Sequence, residues 1–238
     1  MHRVSISPQL KQPSLKYPVP LKLVALGDSL VYGFGDPEGG GWVDRLRRQW
    51  MYPDNTGHVL YNLGVRGDTV AQVARRLESE FRYRGELRHR VPDRIILSVG
   101  VNDSARLARL QGKHFTPFSQ FQAQLVELLD RASQLCPVLF IGMVPVNEAA
   151  MPFLKTFFYT QADQHLYKEV TRLACQEREI PYLDVFELWQ QRGVNWCNQQ
   201  LSMDGLHPNS LGYQSLLGDI SNWQPIQALM HQPDPLAW

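Results

Sequence analysis

The stretch "VALGDSLVYG", residues 24–33, sets Gly27-Asp28-Ser29 directly behind a short apolar run. A run of this length, rich in Val and Leu and ending in Gly, reads as a strand buried on both faces. Gly, Asp and Ser each suit a tight turn, through backbone freedom or through bonds to their own backbone. A serine just past a strand end is also where an α/β enzyme can hold a nucleophile. The tripeptide alone leaves both readings of Ser29 open.

The strand belongs to a repeating pattern. "LKLVALG" (21–27) is followed by four similar runs: "VLYNLG" (59–64), "RIILSVG" (94–100), "VLFIGMV" (138–144) and "IPYLDV" (180–185). Between them lie stretches with helical spacing of apolar residues. "GWVDRLRRQW" (41–50) carries Trp42, Val43, Leu46 and Trp50 on one face. "DTVAQVARRLESEF" (68–81) carries Val70, Val73, Ala74, Leu77 and Phe81, with Asp68 or Thr69 placed to cap it. Residues 117–135, 163–179 and 208–223 supply three more helices. Five strands alternating with about five helices predict one doubly wound parallel sheet. Residues 1–20, punctuated by proline, read as an extended arm; residues 21–238 read as a single domain with a short C-terminal tail.

Composition narrows the function. A net charge of +1 calls for neither nucleic acid nor an acidic membrane surface. The arginine-rich segment 75–94 is interleaved with Glu78, Glu80, Glu86 and Asp93, which reads as a solvated helix face, and no nucleic-acid-binding motif is present. No apolar run reaches the roughly 18 residues of a membrane span, so no stable membrane insertion is expected. The first twenty residues lack the apolar region of a secretory signal, which makes the cytoplasm the expected compartment. Cys136, Cys175 and Cys197 are scattered, without CxxC or zinc spacing, and His58, His89, His114, His165 and His231 lie near no ligand cluster. Neither a metal nor a cofactor is expected; the expected partner is a small molecule.

In an open parallel sheet, ligands bind beyond the carboxyl ends of the strands. There the chain places Ser29 after the first strand, then Asn62, Gly64 and Gly67 after the second. Gly100, Asn102 and Asp103 follow the third strand, and Asp204 and His207 follow the fifth. This set suits acyl transfer. A serine hydroxyl needs a base, and His207 has the intrinsic pKa for it. Asp204, three residues earlier, can orient the imidazole, with Pro208 suited to the first turn of the next helix. The Ser29 N–H, the Gly64 N–H and the Asn102 side-chain amide are candidate donors to an oxyanion. Asp28 reads as structural.

"GDSL" (27–30), "NLGVRGDT" (62–69), "GVND" (100–103) and "DGLHP" (204–208) resemble the four signature blocks of the SGNH/GDSL hydrolases, in the family's order and approximate spacing across residues 24–213. The resemblance implies a flavodoxin-like three-layer α/β/α sandwich with a five-stranded parallel sheet in the order 2-1-3-4-5. It carries the nucleophile to Ser29, the base to His207, its partner to Asp204 and oxyanion donors to Gly64 and Asn102. The implied activity is hydrolysis of an ester or thioester through an acyl-serine, of esterase, lipase or thioesterase type. An acyltransferase using the same site is the alternative, and a non-catalytic binding module on the same fold is a more distant one. The glycine-rich "GFGDPEGGGW" (33–42) lacks phosphate-loop spacing and is expected to form a mobile rim beside Ser29. Segments 104–117 and 145–161 are long enough to wall a pocket. For the apolar cluster Met151, Phe153, Leu154, Phe157, Phe158 and Tyr159, pocket, core packing and oligomer contact all remain open.

Overall fold

A computed structural model describes residues 20–52, 57–84 and 91–230. Strands β1 (Lys22–Gly27), β2 (Val59–Gly64), β3 (Arg94–Ser98), β4 (Val138–Ile141) and β5 (Tyr182–Leu183) form one all-parallel sheet in the order β2-β1-β3-β4-β5. That is the expected order. Leu23, Val24, Ala25 and Leu26 are all fully buried, as are Ile95, Ile96 and Leu97. The absence of alternation follows from helices covering both faces.

The first crossover contains α1 (Ser29–Tyr32) and α2 (Gly41–Trp50); the next three contain α3 (Val70–Tyr83), α4 (Phe118–Leu135) and α5 (Gln161–Glu177). After β5 come α6 (Val185–Gln191), α7 (Val194–Gln200), α8 (Ser210–Ser221) and α9 (Gln224–Met230). Helices α3, α4 and α5 pack side by side, while α2 packs against α8. Right-handed crossovers place these two groups on opposite faces, because the chain reverses its direction across the sheet after β2. The reversal opens a crevice at the carboxyl ends of β1 and β3.

Local rules explain the helix starts. Thr69, not Asp68, is the N-cap of α3, and its N–H donates to Gln72 Oε1 at 2.8 Å. Asp68 instead pairs with Arg76 at 2.8 Å. Helices α6 and α7, with seven residues each, had no counterpart in the sequence reading, being too short to establish a period. The closing helix ends at Ser221, and α9 continues the C-terminal segment as packed structure, with Ile226 and Leu229 buried. The proposed arm lies almost wholly in residues 1–19, outside the described residues, as do residues 231–238 and the histidines His89 and His231.

His58 holds the two ends of the fold together. Its Nδ1 accepts from the Leu21 N–H at 3.0 Å, so the proton sits on Nε2, which donates to the Leu229 carbonyl at 3.1 Å. Burial lowers its pKa below 6.5, and the Leu229 carbonyl offsets only part of that shift. The folded state therefore binds this proton more weakly than the unfolded chain does. The stability that His58 contributes is complete above pH 6.5 and is lost as the pH falls through the lowered folded value. Thermal melts from pH 8 to pH 5 are expected to show a Tm that falls below about pH 6.5. In His58→Gln that part of the fall should disappear.

Candidate active site

Strand β1 ends at Gly27, where only glycine fits because a Cβ would lie 2.0 Å from the Ser98 carbonyl oxygen of β3. Asp28 then caps α1, its Oδ1 accepting from the Leu30 N–H at 2.9 Å. This places Ser29 at the first position of a single helical turn, where its N–H has no intrahelical acceptor. The serine is thus a turn residue by geometry, and that turn lifts it to the carboxyl edge of the sheet.

His207 arrives from a loop 178 residues away, and its Nε2 lies 2.8 Å from Ser29 Oγ. Its Nδ1 lies 2.7 Å from Asp204 Oδ2. The other carboxylate oxygen, Asp204 Oδ1, accepts from the N–H groups of Leu206 (2.9 Å) and His207 (3.0 Å), which fixes the loop around the pair. Burial alone would raise the Asp204 pKa; the bonds from His207 and the two backbone N–H groups outweigh it and hold it below the usual carboxylate range. A carboxylate only accepts, so Nδ1 carries the proton and the Nε2 lone pair faces the serine hydroxyl. Phe34 and Phe153 present ring contacts to the imidazole, at 4.7 and 5.6 Å between centroids. The following helix starts at Ser210 with Asn209 as its cap, accepting from the Gly212 N–H at 3.0 Å, so Pro208 is not in its first turn, contrary to expectation. Pro208 stands just outside that helix.

The expected oxyanion donors separate. Asn102 begins a short 3-10 turn after β3; its Nδ2 donates to the Asp68 carbonyl at 2.9 Å and keeps a second N–H. Gly64 corrects the sequence reading. Its N–H already donates to Asn62 Oδ1 at 3.1 Å. A Cβ at Gly64 would lie 2.1 Å from the Tyr32 nitrogen, so this glycine is there to let α1 approach β2. Gly67, three residues on, has φ +85 and open space around its α-carbon, and it lines the same cavity as Asn102. The sequence signal was the second glycine of "NLGVRGDT", which only the fold separates from the first.

Several supporting residues escaped the sequence reading. Asp36, buried in the glycine-rich loop, accepts from the N–H groups of Gly39 and Gly41, from both Nε and a terminal nitrogen of Arg45, and from the Ser210 hydroxyl, all at 2.7–3.0 Å. The rim is therefore pinned to α2 and α8 rather than loose. Tyr213 adds a bond from its hydroxyl to the Phe34 carbonyl at 3.0 Å. Arg76, one of the arginines read as solvated, turns inward. Its guanidinium bonds to the carbonyls of Gly27 and Leu63 and to Asp68 at 2.8–2.9 Å, joining the ends of β1 and β2. Asp28 and Asp103 are fully buried beneath the site. Burial pushes Asp28 up to about 7 and Asp103 up to about 6, the latter partly offset by the Thr116 hydroxyl at 2.7 Å and the Val70 N–H at 3.1 Å.

The two long segments after β3 and β4 form one cap. Arg106–Leu107 pairs antiparallel with Phe157–Phe158, and Arg106 and His114 both bond Asp163 at the start of α5. Beneath the cap lies a cavity of about 130 Å³ lined by Gly67, Asn102, Phe115, Phe153, Leu154, Phe157 and Tyr159. Most of the apolar cluster thus faces a pocket. Cys136, Cys175 and Cys197 are free thiols. Among the described residues no group of three or more His, Cys, Asp or Glu could hold a metal, and no helix is long and apolar enough to cross a membrane.

Known structures share this architecture. A lipase/acylhydrolase from Enterococcus faecalis superposes with a TM-score of 0.69 at 20% identity, covering 90% of this chain and 98% of its own. The psychrotrophic esterase EstA from Pseudoalteromonas sp., in a structure inhibited by monoethylphosphonate, gives 0.61 at 17% identity over 85% and 95%. A catalytic mutant of Axe2, an acetylxylan esterase from Geobacillus stearothermophilus, gives 0.64 at 16% identity over 87% and 95%. No curated protein matches the chain in sequence. The family model that does match is the GDSL-like lipase/acylhydrolase family, over residues 25–215. That span takes in all four motif loops and the sheet from the second half of β1 onward, and the chain belongs to the GDSL-like lipase/acylhydrolase family of ester-hydrolysing enzymes.

Proposed function

We propose that the protein is a serine acyl hydrolase that cleaves an ester or thioester with an apolar acyl group. The observation that carries this reading is the line from Asp204 Oδ2 through His207 to Ser29 Oγ, with its 2.7 and 2.8 Å contacts. Ser29 Oγ attacks the carbonyl carbon as its proton passes to His207 Nε2, and the charged imidazole is held by Asp204. The N–H groups of Ser29 and Gly67 and the free N–H of Asn102 receive the oxyanion. Collapse of the tetrahedral intermediate breaks the bond to the alcohol or thiol, which leaves with the proton from His207. Water, deprotonated by the same nitrogen, then attacks the acyl-serine and releases the acid.

The cavity under the cap suits the acyl chain. At about 130 Å³ it approaches the size of an apolar cavity known to hold benzene, so roughly six carbons fit before the chain emerges past Phe115 and Leu154.

An alkyl phosphonate with a p-nitrophenol leaving group tests the reading. One equivalent is expected to add to the peptide bearing Ser29, located by mass, with hydrolysis of p-nitrophenyl butyrate lost in parallel. Labelling elsewhere, or activity that survives full labelling, would sink the proposal. With an alcohol present, ester rather than acid as the main product would identify a transferase. Asn102→Ala is expected to lower kcat by about 10²–10³ with little change in KM, since its bond strengthens only as the oxyanion forms.

A further inference from the structure

We propose that the carboxyl end of the sheet docks on an anionic phospholipid surface, with the cap as the part that enters it. The purpose of such docking rests on the acyl-hydrolase reading, but its test does not. Large apolar side chains are exposed in every loop around Ser29: Tyr32 after β1, Val65 after β2, Leu110 and Phe115 after β3, Leu154 after β4, and Met203 beside Asp204. Single exposed apolar residues need no explanation, but six at the end that holds the site do.

Three of them form a continuous tip. Ala108 N–H donates to the Thr156 carbonyl at 2.8 Å, which sets the turn bearing Leu110 beside the one bearing Leu154. Phe115 stacks edge-on to Phe157 at 6.1 Å, and Phe115 and Leu154 wall the same cavity. Leu110, Phe115 and Leu154 remain 47, 46 and 69% exposed.

Charge selects the occupant. Segments 105–116 and 151–159 contain no Asp or Glu. Their bases Arg106 and His114 are engaged by Asp163, but Arg109, Lys113 and Lys155 are exposed and make no ion pair with the described residues. The protein as a whole carries only +1, so this is a local concentration of positive charge. Apolar tips ringed by cations match a layer whose headgroup region is anionic and whose interior is hydrocarbon. In that orientation Phe115 and Leu154, which are exposed and also line the cavity, face the layer, so the cavity lies beside the surface that would supply an acyl chain.

The test uses Ser29→Ala, so that binding is read without turnover, and co-flotation with phosphatidylcholine vesicles with or without phosphatidylglycerol. Binding is expected with the anionic vesicles only, and it should vanish near 1 M salt, where the screening length falls to ~3 Å. Each cation near the surface contributes about fivefold to binding, so adding Arg109→Gln, Lys113→Gln and Lys155→Gln together should weaken it roughly a hundredfold. Leu110→Ser should weaken it at unchanged salt dependence. Introduced instead into protein that keeps Ser29, the same four changes should leave hydrolysis of a soluble butyrate ester unaltered. No binding to anionic vesicles, equal binding to neutral ones, or full binding by the triple variant overturns the docking proposal, even if ester hydrolysis stands. Failure of the unmodified protein to hydrolyse any ester would instead remove the acyl-hydrolase reading and leave the vesicle result intact.

Discussion

Ser29→Ala is expected to lower kcat/KM for a p-nitrophenyl ester by at least about 10⁴-fold while leaving the Tm within a degree or so. Among the described residues the hydroxyl has one side-chain partner, His207 Nε2 at 2.8 Å, so its removal ends a single contact. Nothing in the core depends on it. His207→Ala should be as damaging, because a serine without its base is the weak nucleophile it is in water. The double variant should be scarcely worse than either single one, since the two side chains act as one unit. Asp204→Ala should cost less in rate but more in stability. Its Oδ1 also holds the backbone N–H groups of Leu206 and His207, so the loop loses its brace along with the orienting charge. Steady-state kinetics on purified variants, with calorimetric Tm values alongside, separate these roles. Residual turnover above about a tenth of wild type in Ser29→Ala would contradict an acyl-serine mechanism.

The second large effect is on stability. Asp36→Ala is expected to destabilise the fold by about 3–5 kcal/mol, which corresponds to a fall in Tm of roughly 10 °C for a chain of this size. The substitution leaves the Arg45 guanidinium, two backbone N–H groups and the Ser210 hydroxyl without their shared acceptor. Asp36→Asn keeps the shape and loses the charge, so it should cost only part of that. Burial raises this carboxyl, but Arg45 and the other donors outweigh burial and hold its pKa at about 2, below the ordinary 3.8. Its contribution is therefore complete above pH 3.8 and lost as the pH falls toward 2. Denaturant titrations at pH 7 and pH 3 should show the variant's deficit shrinking at the lower pH. The loop that Asp36 pins carries Phe34 against the His207 ring, so kcat should fall as well, well below the loss from Ser29→Ala.

Particular residues show how far the chain could be read by itself. The central strands were legible because they are buried on both faces and so must be apolar along their middle, as Leu23–Leu26 and Ile95–Leu97 are. Strand β2, at the sheet edge, was legible from its short apolar run ending in Gly64, although only Leu60 and Leu63 are buried. Helices α3 and α4 were legible because they are long enough to repeat a 3.6-residue period; α6 and α7, at seven residues each, are not. The gathering of Ser29, Asp204 and His207 at one edge of the sheet could be anticipated because each sits at a strand end or helix entrance, where local chemistry marks the turn. Gly64 was misread for a reason that local sequence cannot supply. Two glycines three residues apart both permit a close approach, and only the packing of Tyr32 against the first and the cavity beside the second separates them. Arg76 looked like one more solvated arginine because its partners, the carbonyls of Gly27 and Leu63, come from other strands.

By itself the sequence determined the sheet, its buried strands and the short loops that can hold acyl-transfer chemistry, because period, turn residues and capping are local properties of the chain. The tertiary structure decided which glycine N–H is free, that the rim is pinned by Asp36, and that two distant loops join into a single cap over a cavity. Those outcomes depend on which groups of remote segments meet. A backbone N–H, a buried carboxylate or an exposed leucine has no meaning for function until its neighbours, or the lack of them, are known.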